Sequence, residues 1–388
     1  MPEPKFQVVV IGGGPAGSSA AYTLAGSGVK VCVIDRSVFP RDKLCGGLLT
    51  IRSKKTFQTI FNTDWTPAIQ TVSRGARFYF KQKLLNHLAN YQDLYFTSRR
   101  DYDAFLLQLA RKSGATVYAG APVRTIEINK SLLTLSDGSS IHYDFLIGAD
   151  GVNSMVAKLI FGESFSRDTV GFGLEMEVPV SSDIPAISDP EIYFGLLDWG
   201  YGWVFPKKNT LTAGVGGLLR KNPQMREDFN SFLIQRFGRL PSAKVRGHFI
   251  PFGDFRKTPG RGNVLLCGDA AGLVEPITGE GIAFAMLSGY YAAEGVKEAL
   301  SVNRPASALE FYEKRYATIK GSFQQANHLR CLLFPKWCQY LFAKALPHSQ
   351  SIPRRHLDLM ADELSYGQYV SFLVRKIGSG FVKRLFRW

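Results

Sequence analysis

The hydrophobic pattern of the first 35 residues predicts a βαβ unit. Residues 6–11 form a short, β-branched apolar run that ends in glycines, and residues 29–34 form a second apolar run. The intervening segment 16–24 is rich in small, helix-forming residues. Short apolar runs on either side of a helical segment are typical of buried parallel strands.

A second group of periodic segments predicts a β-meander that returns to the same sheet. A helix starts at Asp101, and strands follow at 116–119, 123–128, 132–135 and 145–147. Residues 36–100 are mixed and polar, and the pattern assigns them no clear order. A later apolar run at 263–266 has the character of another buried parallel strand.

The remaining pattern predicts two further regions. Between 165 and 255, strands at 175–180, 191–194, 202–205, 211–215 and 244–249 alternate with few strong helices, which favours an antiparallel sheet. A small-residue helix is expected from about Thr278 to Ala293, and helices dominate from 305, with breaks near Pro335, Pro347 and Pro353. The expected fold is α/β (α+β overall). It comprises a discontinuous Rossmann-like domain (1–164 and 256–304), an antiparallel-sheet domain (165–255) and a basic helical C-terminal region (305–388).

Composition narrows the class of protein. The chain has 388 residues and five cysteines, and no cysteine or histidine spacing indicates a disulfide framework or a metal site. No apolar run reaches the roughly 18 residues that span a bilayer. A cytoplasmic protein without a metal is therefore expected.

The excess of basic residues suggests that part of the protein surface binds an anionic partner. Lys and Arg exceed Asp and Glu by 47 to 32, and the last 58 residues hold nine Lys and Arg against three acids. These charges are interleaved with aromatic residues: Trp337, Phe342, Phe372, Phe381, Phe386 and Trp388. Such a tail fits peripheral binding to the inner face of the cytoplasmic membrane or an ordinary solvated basic face. Nucleic acid is not expected, because no nucleic-acid module is present.

The glycine-rich segment between the first strand and helix predicts a dinucleotide site. Gly12 permits a tight turn, Gly14 allows close approach of a pyrophosphate, and Gly17 lets helix and strand pack closely. The helix N-terminus directs amides and a positive dipole at the phosphates, and the carboxylate ending the second strand suits a ribose diol. The expected cofactor contacts in this unit are Gly12, Gly14, Pro15, Ala16, Gly17, Asp35 and Arg36.

Two more acids follow strand ends, where α/β sheets bind ligands. Asp269 lies in the segment NVLLCGDAAG, and Asp150 in GADG. With the glycine motif, these segments resemble the FAD-binding fold of the p-hydroxybenzoate hydroxylase-like flavoproteins, over most of residues 6–300. The resemblance implies FAD as cofactor, with Arg99 and Val123 among its contacts. It also implies that the discontinuous domain (1–164 and 256–304) is the FAD-binding domain and that 165–255 is the substrate domain. A surface salt bridge is the alternative role for Arg99, because the adjacent Arg100 could make the contact with FAD instead.

Three further segments resemble those of geranylgeranyl reductases. PRDKLCGG carries Cys45, Gly46 and Gly47, and EPITGEGI carries Gly279, Gly281 and Ile282. The third, YGWVFP followed by GVG, carries Tyr201 and Trp203 and resembles the family motif that lines the substrate cavity. The resemblance implies that Cys45, Gly46, Gly47, Tyr201 and Trp203 are catalytic. It also implies that Cys45, Gly46, Gly279, Gly281 and Ile282 contact FAD. Ordinary roles remain open, namely a tight loop around Cys45 and core aromatics at Tyr201 and Trp203.

The same resemblance implies an activity. Hydride from reduced flavin would reduce isolated C=C bonds of a polyprenyl chain, with a proton delivered by Cys45 or a bound water. NAD(P)H or a ferredoxin-like protein would supply the electrons. An FAD-dependent hydroxylase is the alternative, and a non-enzymatic flavin-binding protein is a third. The residues at 199–206 break the tryptophan pattern of flavin-dependent halogenases, and no paired cysteines favour a disulfide reductase.

Overall fold

The computed structural model describes residues 3–385, and the side chains in that range apart from Leu332 and residues 377–385. Phe381, Phe386 and Trp388 of the aromatic tail thus lie outside the described side chains. Eighteen strands occur in the described range. They are β1 (Lys5–Ile11), β2 (Val31–Asp35), β3 (Leu48–Leu49), β4 (Thr71–Ser73), β5 (Ala76–Phe80), β6 (Lys83–Leu88), β7 (Leu94–Phe96), β8 (Thr116–Ala119), β9 (Val123–Glu127), β10 (Leu132–Leu135), β11 (Ser140–Gly148), β12 (Gly171–Pro179), β13 (Glu191–Phe194), β14 (Gly200–Pro206), β15 (Thr210–Leu218), β16 (Arg246–Ile250), β17 (Gly260–Arg261) and β18 (Val264–Leu266).

Ten α-helices complete this part of the chain. They are α1 (Pro15–Ala25), α2 (Ile51–Phe61), α3 (Arg99–Lys112), α4 (Met155–Phe161), α5 (Met225–Phe237), α6 (Ile282–Ser301), α7 (Ala308–Leu333), α8 (Lys336–Ala345), α9 (Ser351–Met360) and α10 (Tyr366–Leu385). Each strand expected from the periodicity is present, with ends shifted by a few residues. The expected mixed α/β fold is therefore confirmed.

The first sheet has eight strands and contains the N-terminal βαβ unit. Its parallel strands run in the order β18-β11-β1-β2-β8, and β17 pairs with β18 at one edge. The predicted meander is formed by β9, β10 and β11: β9 pairs antiparallel with β10, and β10 pairs antiparallel with β11. Helix α6 packs closely on α1. The two backbones are so near each other that a Cβ at Gly289 would lie 2.0 Å from the carbonyl oxygen of Ala16. Small residues on both helices therefore allow their backbones to touch.

The second sheet has seven strands in the order β16-β12-β15-β14-β13-β5-β6, and it is antiparallel except for the parallel pair β13 and β5. Strands β5 and β6 fall within the range 1–164 that the sequence assigns to the FAD-binding domain. They join this sheet because the aromatic residues of β5 pack on both of its faces. Phe78 belongs to the cluster that includes Trp203, and Tyr79 stacks on Tyr193 with ring centroids 4.5 Å apart.

Helix α7 also departs from the predicted division of the chain. Although it begins after residue 305, its buried face belongs to the core of the first sheet. The hydroxyl of Tyr312 donates to the carbonyl of Leu266 at 2.8 Å, and that of Tyr316 donates to the carbonyl of Arg256 at 2.7 Å. Helices α8, α9 and α10 follow as a separate cap, and Pro353 lies in the first turn of α9, where proline is tolerated. The chain breaks near Pro335 and Pro347 but not at Pro353.

Candidate active site

One cavity of about 850 Å³ is lined by residues from both sheets and from the C-terminal helices. All the site residues expected from the sequence line it except Gly17 and Val123. Gly17 lies inside α1 beneath the glycine turn, and Val123 packs at the edge of the first core. The folded chain therefore brings distant motifs to a single space.

The glycine turn has the geometry that its spacing predicts. Gly12 has a φ of +103°, and a Cβ at Gly17 would lie 1.8 Å from the carbonyl oxygen of Gly12. Around Gly14, in contrast, an added Cβ would meet nothing nearer than 3.6 Å. The carboxylate of Asp35 accepts hydrogen bonds from the amides of Gly13 and Ser37, both at 2.8 Å. The turn is thus tightly packed at Gly17, inside the helix, and leaves open space at Gly14, where the helix begins.

Four cations line the cavity near this turn, namely Arg36, Arg41, Lys43 and Arg99. Arg99 is buried, and its Nε and Nη2 atoms donate to Asp103 at 2.6 and 2.7 Å. Arg41 reaches the same carboxylate at 3.0 Å. Arg100 is exposed and lies 3.9 Å from Asp42. The structure thus separates the two neighbouring arginines and places Arg99 at the cavity.

Asp269 lines the same cavity from the short turn Gly268–Ala271 that follows β18. Lys43 Nζ lies 3.2 Å from its Oδ2 atom. Burial alone would raise the pKa of Asp269, but Lys43 and Arg99 hold it below its usual value. His248 on β16 lies in the same group; burial, assisted by Lys43, lowers its pKa to about 4. Asp269 is therefore an anion beside a neutral imidazole.

Asp150 has a different environment from the one its strand-end position suggests. It lines the cavity, but its carboxylate accepts from the hydroxyl of Ser154 at 2.5 Å and from the amides of Met155 and Val156 at 2.7 and 3.3 Å. These donors belong to the first turn of α4, so the carboxylate caps that helix. Its assignment as an FAD contact stays a prediction.

The segment Cys45–Gly46–Gly47 crosses the cavity between the two sheets. Gly47 has a φ of +80°, and a Cβ there would lie 2.0 Å from the carbonyl oxygen of Thr97. The amide of Gly47 donates to the sulfur of Cys45 at 3.4 Å, and the amide of Cys45 donates to Glu175 at 3.3 Å. The thiol is thus held at the cavity wall by its own turn.

The paired sheet motifs form one surface of the cavity. Trp203 lies over two glycines of β15, since a Cβ at Gly214 would come within 2.4 Å of its ring and one at Gly216 within 3.3 Å. The hydroxyl of Tyr201 donates to the carbonyl of Thr278. The glycines therefore make room for the indole, and Tyr201 connects the sheet to the loop before α6.

That loop differs from the prediction, which started the helix near Thr278. Helix α6 begins at Ile282, because buried Glu275 holds the preceding residues in a loop and accepts from the amides of Ile277 and Thr278. Glu275 also accepts from the hydroxyl of Tyr366 on α10. Gly279, Gly281 and Ile282 all line the cavity. The loop is therefore connected to the C-terminal cap.

A second network holds the same loop from the other side. Glu280 accepts from the hydroxyl of Thr50 at 2.6 Å and from Nη1 of Arg52 at 2.9 Å. Arg52 in turn donates to the carbonyl of Leu359 on α9 at 2.9 Å. The sequence motif identified this loop, but the distant partners of its two acids, Tyr366 for Glu275 and Thr50 and Arg52 for Glu280, carry no sequence signal.

Beyond the glycine turn, the cavity continues into an apolar chamber. Its walls come from β5, β6 and β13 of the second sheet and from the cap helices α8 and α9. Side chains that line it include Phe78, Phe80, Leu85, Ile192, Phe194, Phe342, Leu346, Ile352 and Met360. The cavity thus has a cationic end and an apolar end.

These features fit FAD. The open space at Gly14, the N-terminus of α1 and the four cations suit a diphosphate, and the carboxylates of Asp35 and Asp269 suit sugar hydroxyls. A family model described as an FAD binding domain matches residues 5–194. The protein is an FAD-dependent oxidoreductase.

Relatives define the family. The chain is 31% identical over 320 residues to the geranylgeranyl diphosphate reductase of Rhodobacter capsulatus, covering 78% of each chain. It is 32% identical over 319 residues to the menaquinone reductase of Mycobacterium tuberculosis, covering 74% of this chain and 75% of that one. The chain belongs to the geranylgeranyl reductase family.

Solved structures share the fold. A geranylgeranyl bacteriochlorophyll reductase-like protein from Thermoplasma acidophilum superposes with a TM-score of 0.75 at 23% identity, covering 97% of this chain and 96% of that one. Structures of a probable FAD-dependent monooxygenase and of flavin-dependent halogenases share the same architecture at lower identity. The fold by itself therefore does not separate reduction from oxygenation.

Proposed function

We propose that this protein reduces isolated C=C bonds of a polyprenyl chain and takes that chain from the surface of an anionic membrane. The apolar chamber that continues from the FAD end of the cavity carries the proposal. An alkene has no polar group to bind, so recognition depends on apolar surface and on exclusion of water. Relatives named as geranylgeranyl diphosphate, menaquinone and digeranylgeranylglycerophospholipid reductases support this substrate class.

Within this proposal, the chain's own residues position the substrate and supply a proton. FAD, when bound and reduced, supplies hydride. Trp203 and Tyr201 form an aromatic wall against which the prenyl chain lies, and the thiol of Cys45 holds the proton for the second alkene carbon. NAD(P)H or a ferredoxin-like protein supplies the electrons that reduce FAD.

A Cys45→Ala variant is expected to retain FAD and to reduce the prenyl chain roughly 100-fold more slowly, which is a usual contribution of a positioned general acid. The assay uses holoenzyme reduced with dithionite under anaerobic conditions, with geranylgeranyl diphosphate as probe. Mass spectrometry should show a product heavier by two hydrogen atoms for each bond reduced.

The matched control is Cys45→Ser, which keeps a group that can accept from the amide of Gly47. An intermediate rate would assign the effect to proton supply. An alanine variant as fast as the wild type would refute the role of the thiol. Substrate-stimulated oxygen consumption with a hydroxylated product would instead establish a monooxygenase.

The membrane part of the proposal depends on helix α8. Trp337, Tyr340 and Leu341 are 65%, 53% and 54% exposed on its outer face, while Phe342 and Ala343 on the same helix line the chamber. Two lysines flank the exposed group, at positions 336 and 344. Apolar and cationic groups on one helix suit the interface of an anionic bilayer. No helix in the described range is long and apolar enough to cross a bilayer.

Replacing Trp337 and Leu341 together by serine should weaken binding to phosphatidylglycerol vesicles by roughly 100-fold or more, because each exposed side chain contributes on the order of 1.5–3 kcal/mol when buried in lipid. Cosedimentation measures the bound fraction. Leu240→Ser is the control, since Leu240 is also exposed but lies away from α8. Equal binding of the double variant and the control would exclude α8 as the docking helix.

A further inference from the structure

A buried carboxyl group lies beneath the Cys45–Gly47 segment and has no role in the proposed chemistry. Glu175 on β12 is 6% exposed, and its Oε1 atom accepts from the amide of Cys45 at 3.3 Å. Its Oε2 atom is buried and has no hydrogen-bond partner among the described residues. A buried polar atom of this kind normally costs free energy, so its retention needs a reason.

The buried indole of Trp203 lies in the same row of the sheet, that is, among the residues that face one another across β12, β15 and β14. Glu175 faces Gly214 across β12 and β15, and Gly214 faces Trp203 across β15 and β14. Residues that face each other across antiparallel strands share one side of the sheet. Because Gly214 has no side chain, the indole of Trp203 extends over it toward Glu175.

The Cys45–Gly46 backbone covers this row. A Cβ at Gly46 would lie 3.1 Å from Nε1 of Trp203, which is also buried and without a partner in the described part of the chain. Two buried polar atoms without a partner in the described part of the chain therefore lie beneath the segment that lines the cofactor cavity. They are Oε2 of the Glu175 carboxyl group and Nε1 of the Trp203 indole.

The charged groups that face Glu175 come from three directions. Glu177 lies on the same strand, Arg246 faces it on β16, and Lys207 follows β14. Lys207 binds Glu177 at 2.9 Å, and Arg246 binds Asp42 at 3.1 Å, so both cations have other carboxylate partners. Burial consequently raises the pKa of Glu175 to about 7; Lys207 lowers it and Glu177 raises it further.

We propose that Glu175 is a positioning residue whose buried carboxyl group, through its hydrogen bond to the amide of Cys45, sets the position of the Cys45–Gly46–Gly47 segment against the FAD. In its ionised form the carboxylate accepts a charge-assisted hydrogen bond from the amide of Cys45, and in its neutral form that bond weakens. The segment then has two arrangements, selected by pH. This role requires only the FAD site, so it holds whether or not the substrate is a prenyl chain.

The test is the visible absorption spectrum of the FAD-loaded, substrate-free protein between pH 5.5 and 8.5. The wild type should show a spectral transition with an apparent pKa of about 7. Glu175→Gln, which keeps the shape and an acceptor for Cys45, should bind FAD but show no transition. Glu177→Gln is the matched control; it should keep the transition and move it to lower pH, because a nearby like charge is removed.

Cys45→Ala separates the carboxyl from the thiol, because the backbone amide that Glu175 binds is still present in that variant. The transition should therefore persist in Cys45→Ala. A wild-type spectrum that does not change with pH, a transition that survives in Glu175→Gln, or one that vanishes in Cys45→Ala would each overturn the proposal. None of these outcomes depends on the prenyl substrate.

Protein stability provides a second readout with a defined sign. The folded state holds the Glu175 proton more tightly than the unfolded chain, whose pKa is about 4.5. The folded state therefore binds more protons between pH 4.5 and 7, and the free energy of unfolding should fall as pH rises through that window. In Glu175→Gln this part of the pH dependence should be absent, which thermal melting at several pH values would measure.

Discussion

A Gly17→Ala variant is expected to accumulate without FAD and to melt at a markedly lower temperature than the wild type. The added methyl group would lie 1.8 Å from the carbonyl oxygen of Gly12 and 3.1 Å from Cγ1 of Val10. The backbone at Gly12 cannot easily move away from the added methyl group, because the amide of Gly12 donates to the carbonyl of Ile34 and that of Gly13 donates to Asp35, both at 2.8 Å. Overpacking of a buried site costs about 1–3 kcal/mol, and more where backbone must move.

The matched control is Gly14→Ala, because Gly14 is the N-cap of α1 and faces the open cavity. An added Cβ there would be 3.6 Å from the nearest atom, Nη2 of Arg41, and the φ of Gly14 is −74°. This variant should fold with stability close to that of the wild type and bind FAD more weakly. Thermal melting and the ratio of flavin to protein absorbance measure both effects. A Gly17→Ala protein that is fully loaded and equally stable would contradict this account of the glycine turn.

Asp269→Ala is expected to lose FAD while remaining folded. The carboxylate is ionised in the cavity, and a hydrogen bond from a ribityl hydroxyl to such a group contributes about 1.5–3 kcal/mol, or roughly tenfold to 150-fold in affinity. The substitution also removes the carboxylate partner of the half-buried Lys43. Equilibrium dialysis of FAD against the apoprotein measures the loss.

Asp269→Asn distinguishes hydrogen bonding from charge. The amide can still bind a hydroxyl but cannot neutralise Lys43, so its FAD affinity should fall between those of the wild type and the alanine variant. Circular dichroism should show that all three proteins are folded. An Asp269→Ala protein that is purified with a full complement of FAD would refute the placement of this acid at the cofactor.

Motifs that combine local spacing with strand position were predictable. Gly12, Gly14 and Gly17 require only a strand, a turn and a helix in succession, and Asp35 requires only the next strand end. Trp203 and its two glycines are likewise local to one hairpin, since β14 and β15 are neighbours in the chain and in the sheet. These elements were recognisable because their partners lie close in sequence.

Other contacts were not predicted from the sequence, most of them because they join parts of the chain that are distant in sequence. Nothing in residues 76–88 indicates that β5 pairs with β13, which lies more than a hundred residues later. Asp150 follows a strand end as expected, yet its acceptor atoms bind the first turn of α4. Lys43 was part of a recognised segment, but its ion pair with Asp269 could not be inferred from that segment alone.

Short stretches of the chain already specify the cofactor-binding unit, because backbone conformation at glycines and periodic burial of side chains are local properties. Which distant groups share the cavity depends instead on the tertiary structure. It alone brings Glu175, Gly214 and the Cys45 segment together and closes the chamber with α8 and α9. Burial, and with it the raised pKa of Glu175, arises only when separate strands and helices exclude water from the same space.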